Sequence, residues 1–186
     1  MATQGRNRVA GVTFRSVKTD ILIIGSGLAG CAAAWAAAGR NVEVTLLTRS
    51  STPEDSNTFW AQGGIIYEGE EDSPEILESD ILAAGAGLSD PEAAKLLSRE
   101  GPRLVKEILI DELGIRFDES PGDSKRWDLA AEAAHSLPRI LHYKDQTGSA
   151  IERVFIERVS SHPRVKLLPA TTAVDLLTIS HHSLEP

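Results

Sequence analysis

The chain has 186 residues, of which 41% are hydrophobic and 25% charged, with one cysteine and a net charge of −8. These values are typical of one globular domain or slightly more, and they exclude a collagen-like chain, a wholly disordered chain and a disulfide framework. No apolar run approaches the roughly 18 residues of a membrane span, and the negative charge argues against a generic nucleic-acid binder. A single cysteine suits a reducing compartment, so we expect a cytoplasmic protein without membrane or nucleic-acid partners.

The first eighteen residues carry four basic side chains and no acidic one. No apolar core follows these basic residues, which excludes a secretory signal. We expect residues 1–18 to form a flexible amino-terminal segment, and an organellar transit peptide is the alternative interpretation.

A βαβ unit is predicted at the start of the folded part. Residues 20–24 are typical of a buried parallel strand, Leu28–Ala38 of a helix that ends at Gly39, and residues 42–47 of a second strand. The handedness and packing rules for such units favour an α/β fold with a doubly wound sheet.

The motif Gly25-Ser-Gly-Leu-Ala-Gly30 lies between the first predicted strand and the first predicted helix. In this pattern the first glycine permits a sharp turn, the second lets backbone approach a pyrophosphate, and the third lets helix and strand pack closely. The amino end of the helix adds N–H groups and partial positive charge. A dinucleotide site is predicted, and a tight turn without a ligand is the alternative. Arg49 stands near the position of the usual ribose-binding acid, which leaves an NADP enzyme open.

Further elements are predicted along the chain, two of the helices with Ser73 and Asp90 as caps. The helices are expected over residues 73–84, 90–98, 102–113 and 149–160. The strands are expected over residues 115–117, 165–168 and 172–179, with a polar turn at 121–126. Residues 50–94 contain eleven acids and no Lys or Arg, which we interpret as a solvated acidic surface.

Two loops carry polar residues that could form a site. In residues 56–64, adjacent glycines follow small and amide side chains and could expose N–H groups to a flat ring or a phosphate. In the second loop, Glu132, His135 and Arg139 place a carboxylate, an imidazole and a guanidinium where they could share one substrate. From the residues alone, an ordinary surface loop is the alternative interpretation of each.

The cysteine and the histidines indicate no further chemistry. Cys31 follows the last glycine of the motif near the start of the first predicted helix, and it has no basic partner at helical spacing, so we expect it in the core. The remaining histidines show no ligand spacing, so no metal is assigned: His142, His162, His181 and His182.

Together these motifs resemble the flavoprotein family of succinate dehydrogenase, fumarate reductase and L-aspartate oxidase, and the L-aspartate oxidase branch most closely. The resemblance runs over residues 19–179. It is carried by residues 20–30, 58–65, 83–88, 132–142 with 145–148, and 162–163 with 173–177. It implies that residues 19–186 form an incomplete, doubly wound, Rossmann-like FAD-binding domain. The capping and carboxy-terminal helical domains of the family are absent, so we expect an amino-terminal portion that is inactive alone.

The resemblance also implies a reaction. The cofactor of the family is FAD, and the implied activity is oxidation of L-aspartate to iminosuccinate by hydride transfer to the flavin, with oxygen or fumarate as acceptor. This is the first step of NAD biosynthesis and implies a functional link to quinolinate synthase. Relatives that bind flavin covalently carry a histidine where this chain has Asn57, so non-covalent FAD is expected. The alternatives are a succinate or fumarate enzyme of the same family and a non-catalytic nucleotide-binding remnant.

Roles for individual residues follow from the resemblance. Glu132 matches the carboxylate that orients the substrate ammonium group, and His135, Ser136 and Arg139 match substrate-loop positions. The implied cofactor-binding residues are Gly25, Ser26, Gly27, Leu28, Ala29, Gly30, Arg49, Asn57, Thr58, Phe59, Trp60, Ala61, Gln62, Gly63 and Gly64. The family often has two glycines where this chain has Ala133-Ala134, and a basic residue where it has Pro138.

Overall fold

A computed structural model describes residues 5–9 and 12–178 of the chain. The chain divides into two compact units. The first comprises residues 1–56 and 156–186, and the second comprises residues 57–155.

The first unit contains a three-stranded parallel sheet in the order β10-β4-β3. Its strands are β3 (Ile21–Ile24), β4 (Val44–Leu47) and β10 (Val165–Leu168), and helix α1 (Leu28–Ala38) connects β3 to β4. The predicted βαβ unit is therefore confirmed. All four residues of the central strand β4 are buried, but three of the four in β3 are exposed. The prediction that β3 is buried is wrong, because among the described residues β3 pairs only with β4.

The two ends of the first unit differ from the sequence-based expectations. Within the segment expected to be flexible, β1 (Gly5–Val9) and β2 (Val12–Ser16) pair as an antiparallel hairpin. Residues 171–178 are irregular, so the strand predicted over residues 172–179 is wrong for this part, and Ile179 lies outside the described residues. The alternating pattern of apolar residues there does not correspond to a buried strand face, because these side chains are 74–94% exposed: Val174, Leu176 and Leu177.

Helices form much of the second unit. Helix α2 (Pro74–Ala84) begins at Ser73, whose hydroxyl accepts a hydrogen bond from the Ile76 N–H at 3.3 Å. Helix α3 (Pro91–Leu104) begins at Asp90, whose carboxylate accepts from the N–H groups of the first turn at 2.9 and 3.4 Å. Both predicted caps are confirmed.

The helix α3 passes through Pro102 and continues as a π-helical segment, Val105–Glu112. The prediction of two separate helices over residues 90–98 and 102–113 is therefore wrong. Proline contributes no N–H to the helical ladder, which is why the sequence favoured a break there. Continuous burial of one face outweighs that local cost, since Ala94, Val105 and Leu109 are all buried.

The second unit also contains a small antiparallel sheet in the order β5-β9-β8. Its strands are β5 (Ile65–Ile66), β8 (Leu129–Ala130) and β9 (Ile140–Leu141). A separate hairpin, β6 (Glu119–Ser120) with β7 (Asp123–Trp127), replaces the turn predicted over residues 121–126. Residues 115–117 are not a strand as predicted, although Ile115 and Phe117 are each only 3% exposed.

Helix α4 (Thr147–Ser161) begins in the second unit and ends in the first. Its predicted apolar stripe is largely confirmed, because Ile151, Phe155 and Val159 are at most 3% exposed. Among the described residues, no helix is both long enough and apolar enough to cross a membrane.

Candidate functional site

The glycine turn of the first unit has the geometry that a pyrophosphate requires. Gly25 has a φ of +107°, a conformation that favours glycine, and its N–H donates to the carbonyl oxygen of Leu47 at 2.8 Å. At Gly30, a β-carbon would lie 1.9 Å from the carbonyl oxygen of Gly25, so a side chain there would displace the turn. Helix α1 starts at Gly27 without a side-chain cap and without an acid in its first turn. This leaves its amino end, which includes Leu28 and Ala29, suited to an anion.

The neighbours of the turn fix it in place. The Ser26 hydroxyl is buried and donates to the carbonyl oxygen of Pro53 at 2.7 Å, and the Cys31 thiol donates to the carbonyl oxygen of Ser26 at 3.0 Å. Cys31 is fully buried, as predicted. Arg49 is exposed and follows β4 by two residues, at the same end of the sheet as the glycine turn. In α/β sheets this carboxyl end is where nucleotides bind.

In the second unit, the loop formed by residues 57–64 packs against the start of α4. The N–H of Gly148 donates to the carbonyl oxygen of Ala61 at 3.0 Å. A β-carbon on Gly148 would lie 1.8 Å from the carbonyl oxygen of Thr58 and 2.7 Å from that of Ala61. Gly148 therefore permits a close approach of this loop to the start of α4 that the side chain of any other residue would block. It sets the distance between the loop and the helix.

A cavity of about 320 Å³ lies beside the same loop. Phe59 and Trp60 pack edge to face with their ring centroids 5.1 Å apart, and the Arg153 guanidinium lies 5.4 Å from the Phe59 ring. Trp60 is 70% exposed and offers a large aromatic surface, with Gln62 also lining the cavity. The sequence analysis assigned no role to Gly148 or Arg153. Gly148 lies in residues 145–148, which carry part of the family resemblance, whereas nothing in the sequence distinguishes Arg153 from other residues of its helix.

Glu132 and Gly63 come together although they belong to two different predicted loops. The two carboxylate oxygens of Glu132 lie 3.4 and 3.9 Å from the position that a β-carbon on Gly63 would occupy. Glu132 is exposed, and Asn57 and Gly64 are exposed in the same unit. The structure thus places one negative charge beside the loop expected to contact the flavin.

The Arg139 side chain is fully buried against two aspartates. Its Nε and Nη2 donate to both carboxylate oxygens of Asp72 at 2.7 and 2.8 Å, and its Nη1 donates to Asp80 at 2.5 Å. Asp80 also accepts from the N–H and the hydroxyl of Ser136, each at 2.9 Å. The Nδ1 of His135 lies 3.1 Å from the Arg139 Nη1.

Hydrogen bonds keep the Asp80 carboxylate ionised. The Ser136 N–H and the Arg139 guanidinium stabilise the carboxylate and lower the pKa of Asp80 to about 2. Asp72 and Asp80 were expected on a solvated acidic surface, and for these two residues that expectation is wrong. Nothing in the linear spacing pairs residues 72 and 139, so sequence reasoning had no signal for this contact. A direct contact between Arg139 and a substrate would require both ion pairs to open.

The described histidines outside this site have ordinary contacts. His142 lies with Nδ1 3.1 Å from Asp118 and Nε2 3.6 Å from Asp128, and His162 packs edge to face on Trp35. Within the described part of the chain, no group of three or more His, Cys, Asp or Glu could hold a metal ion. His181 and His182 lie outside the described residues.

Residues 20–182 match the family model described as FAD binding domain. The chain belongs to this family. As an FAD binding domain it has FAD as its cofactor, and its α/β fold is the doubly wound, Rossmann-like fold expected from the sequence. The glycine turn fits this cofactor, since Gly25 permits the sharp turn and Gly30 the close packing of α1 on it, which leaves the uncapped amino end of α1 suited to a pyrophosphate.

Curated relatives of this FAD binding domain are L-aspartate oxidases. The protein of that name from Halobacterium salinarum is 44% identical over 160 residues, which are 86% of this chain and 30% of the relative. The L-aspartate oxidase from Yersinia pestis is 39% identical over 164 residues, with the same coverage of both chains. The matched part of the chain thus spans about 30% of the length of these relatives.

Solved structures show the same fold. A Mycobacterium smegmatis Sdh1 complex superposes with a TM-score of 0.72 at 25% identity, covering 83% of this chain and 28% of that chain. A quinol fumarate reductase from E. coli gives a TM-score of 0.74 at 22% identity, covering 82% and 26%. The second likeness concerns the fold alone.

Proposed function

We propose that this chain provides the FAD site and part of the substrate site of an L-aspartate oxidase. Such an enzyme converts L-aspartate to iminosuccinate and passes the electrons to oxygen or fumarate. The observation that carries the proposal is the position of the Glu132 carboxylate, 3.4 Å from the β-carbon position of Gly63 in the expected flavin loop. The names of the two relatives at 44% and 39% identity support the same activity.

Glu132 distinguishes L-aspartate from succinate and fumarate by charge. Its carboxylate attracts the α-ammonium group of L-aspartate, whereas succinate and fumarate offer only negative charges to the same position. At 4 Å, one such pair of charges interacts by about 4 kcal/mol at an effective dielectric constant near 20, and less where water enters. Because Glu132 is exposed in this chain, we take that value as an upper bound.

The remaining residues hold the substrate and the cofactor. His135 and Ser136 form the substrate loop next to Glu132, and residues 57–64 would hold the isoalloxazine ring. FAD supplies the acceptor for the hydride that leaves the α-carbon. Asn57 has no imidazole nitrogen, so no covalent bond to the flavin forms. The reaction belongs to the first step of NAD biosynthesis, which links it functionally to quinolinate synthase. A reducing compartment such as the cytoplasm suits the buried Cys31 thiol.

Substitution of Glu132 tests this proposal in a complete enzyme. A hybrid enzyme is prepared in which residues 20–178 of this chain replace the matching part of the Halobacterium salinarum relative. We expect Glu132→Gln to raise the KM for L-aspartate at least about tenfold, because it removes the charge that attracts the ammonium group. Fumarate reduction should be unchanged or faster, because a repulsive charge is removed.

The matched control is Glu157→Gln, which neutralises an exposed glutamate of α4 outside the site. This control should leave both activities unchanged. Equal losses of aspartate oxidation and fumarate reduction in Glu132→Gln would contradict the proposal, since they would show that Glu132 only supports its loop.

A further inference from the structure

Arg139 directly precedes β9, the central strand of the small antiparallel sheet. Its N–H donates to the carbonyl oxygen of Ala130 at 3.2 Å, and its carbonyl oxygen accepts from the N–H of Tyr67 at 2.8 Å. Pro138 also fits closely, because a β-carbon on Gly69 would lie 2.2 Å from the Pro138 carbonyl oxygen. The main chain at residue 139 is therefore held by hydrogen bonds on both sides. The loop of residues 132–138 ends at this fixed point.

The Arg139 side chain is fully committed to Asp72 and Asp80. It uses Nε and both Nη atoms for these two carboxylates, and none of its surface is exposed to solvent. Asp72 precedes α2 and Asp80 lies within it, so the guanidinium joins the central strand region to this helix. Arginine suits such a buried site because its planar fork binds a carboxylate with two parallel hydrogen bonds.

A short series of contacts leads from this ion cluster to Glu132. Asp80 holds Ser136 through two hydrogen bonds of 2.9 Å, and the N–H of His135 donates to the carbonyl oxygen of Glu132 at 3.1 Å. Between them, Ala134 has a φ of +70°. A non-glycine residue in this left-handed region is strained, and such strain persists where surrounding contacts determine the backbone. Here those contacts are the two bonds from Ser136 to Asp80.

We propose that Arg139 is a positioning residue: through Asp80 and Ser136 it holds the loop of residues 132–136 so that the Glu132 carboxylate lies beside Gly63. This inference rests on the proposed function for the role of Glu132, and it replaces the expected direct contact between Arg139 and the substrate. The guanidinium acts on the reaction through the loop, and its own charge is balanced by the two aspartates.

His135 is fixed by the same guanidinium. Arginine has donors only, so the Nδ1 of His135, 3.1 Å away, is the acceptor in this hydrogen bond. Arg139 thus holds His135 directly and Ser136 through Asp80.

Nuclear magnetic resonance on the 186-residue chain tests the geometry without any activity. In the unmodified chain, the amide signal of Gly63 should follow the titration of the Glu132 carboxyl group, and Glu132→Gln should abolish this response. Asp80→Asn should also abolish it, because the loop loses its attachment to α2. The control is Arg103→Met, which removes an exposed arginine paired with Glu100 and Glu107, and it should retain the response. Retention of the response in Asp80→Asn would overturn the proposal.

Kinetics of the hybrid enzyme separate positioning from direct binding. If Arg139 acts through the loop, Asp80→Asn should raise the KM for L-aspartate about tenfold with little change in kcat. If Arg139 bound the substrate itself, Asp80→Asn would remove one of the two ion pairs that hold the guanidinium away from the substrate, and the KM would fall instead. Arg139→Lys should retain part of the affinity for L-aspartate, because lysine can still pair with Asp80. The milder variants are used because removal of Arg139 would leave Asp72 and Asp80 without a counter-charge.

The two proposals fail in different ways. A hybrid enzyme that does not oxidise L-aspartate at all, while the Gly63 response is lost in Asp80→Asn, would contradict the proposed function alone. A fall of the KM in Asp80→Asn, in a hybrid that oxidises L-aspartate, would contradict the positioning role alone.

Discussion

Glu132 and Arg139 carry opposite charges in very different surroundings. Glu132 is exposed, so water screens its charge, whereas none of the Arg139 side chain is exposed. A buried charge is stable only when its partners are in place, and loss of one partner is costly. We therefore assign substrate recognition to the exposed carboxylate and loop geometry to the buried guanidinium.

The acid stability of the fold should depend on Asp80. Its pKa is about 2 in the folded chain, below the value near 3.9 of an unfolded chain. The folded state therefore binds fewer protons than the unfolded state between these two values, so the stabilisation is complete above about pH 4. It is lost as the pH falls through about 2, and it amounts to roughly 2 kcal/mol.

Urea denaturation at several pH values checks this expectation. The free energy of unfolding should be lower in Asp80→Asn than in the unmodified chain at neutral pH, and the difference should shrink as the pH falls below about 4. A difference that is the same at all pH values would show that the carboxylate charge of Asp80 does not stabilise the fold.

At the level of single residues, the sequence predicts the glycine turn but not the ion cluster. The roles of Gly25 and Gly30 follow from their spacing, because the turn and the helix start are local structures. The contact between Arg139 and Asp72 joins residues that are distant in the chain, and many acids in residues 50–94 could equally have been the partner. The same holds for Glu132 and Gly63, whose proximity only the folded chain shows.

Helix starts are predicted well because their signals are local. Ser73 and Asp90 cap their helices through bonds to N–H groups within three residues. The end of α3 is predicted badly, because burial of its apolar face outweighs the break expected at Pro102. Strands of two residues such as β5, β8 and β9 have no periodicity that a sequence could show, so their sheet was not predicted.

Gly148 is expected to set the position of the loop of residues 57–64. In a helix, Gly→Ala ordinarily stabilises a protein by up to about 1 kcal/mol. At Gly148 the sign should reverse, because the new β-carbon would lie 1.8 Å from the carbonyl oxygen of Thr58. We expect Gly148→Ala to destabilise the chain by about 1–3 kcal/mol and to weaken FAD binding.

A matched control exists within α3. At Gly101, a β-carbon would meet only a Leu97 methyl carbon at 3.5 Å, which is an ordinary contact. Gly101→Ala should therefore leave FAD binding unchanged and keep or raise the stability. Thermal unfolding and flavin titration of both variants decide the question, and equal behaviour of the two variants would contradict the assigned role of Gly148.

At the scale of the whole molecule, the first unit exposes apolar surface that a complete doubly wound sheet would cover. Ile21, Leu22 and Ile24 of the edge strand β3 are 39–65% exposed. The chain covers about 30% of the length of its curated relatives. The parallel βαβ arrangement was predictable, whereas the exposure of β3 depends on the strands present around it.

The cofactor should bind without a covalent bond and in preference to NADP. The exposed Arg49 alone would also suit the 2′-phosphate of NADP, but a nicotinamide site has no need of the loop at residues 57–64. Equilibrium titration of the purified chain should show FAD binding ahead of NADP. Acid denaturation should then release all the yellow colour, since Asn57 cannot form the bond. Colour that stays with the pellet, or tighter binding of NADP, would be inconsistent with this account.

The most direct test of the central claim is the substrate preference of the hybrid enzyme. The Halobacterium salinarum relative itself serves as the reference, and bound flavin confirms that the hybrid is folded. Because Glu132 attracts the α-ammonium group, which L-aspartate carries and succinate lacks, kcat/KM should be higher for L-aspartate than for succinate by at least about tenfold. A flavin-loaded hybrid that oxidises succinate as well as L-aspartate, or better, would contradict the claim.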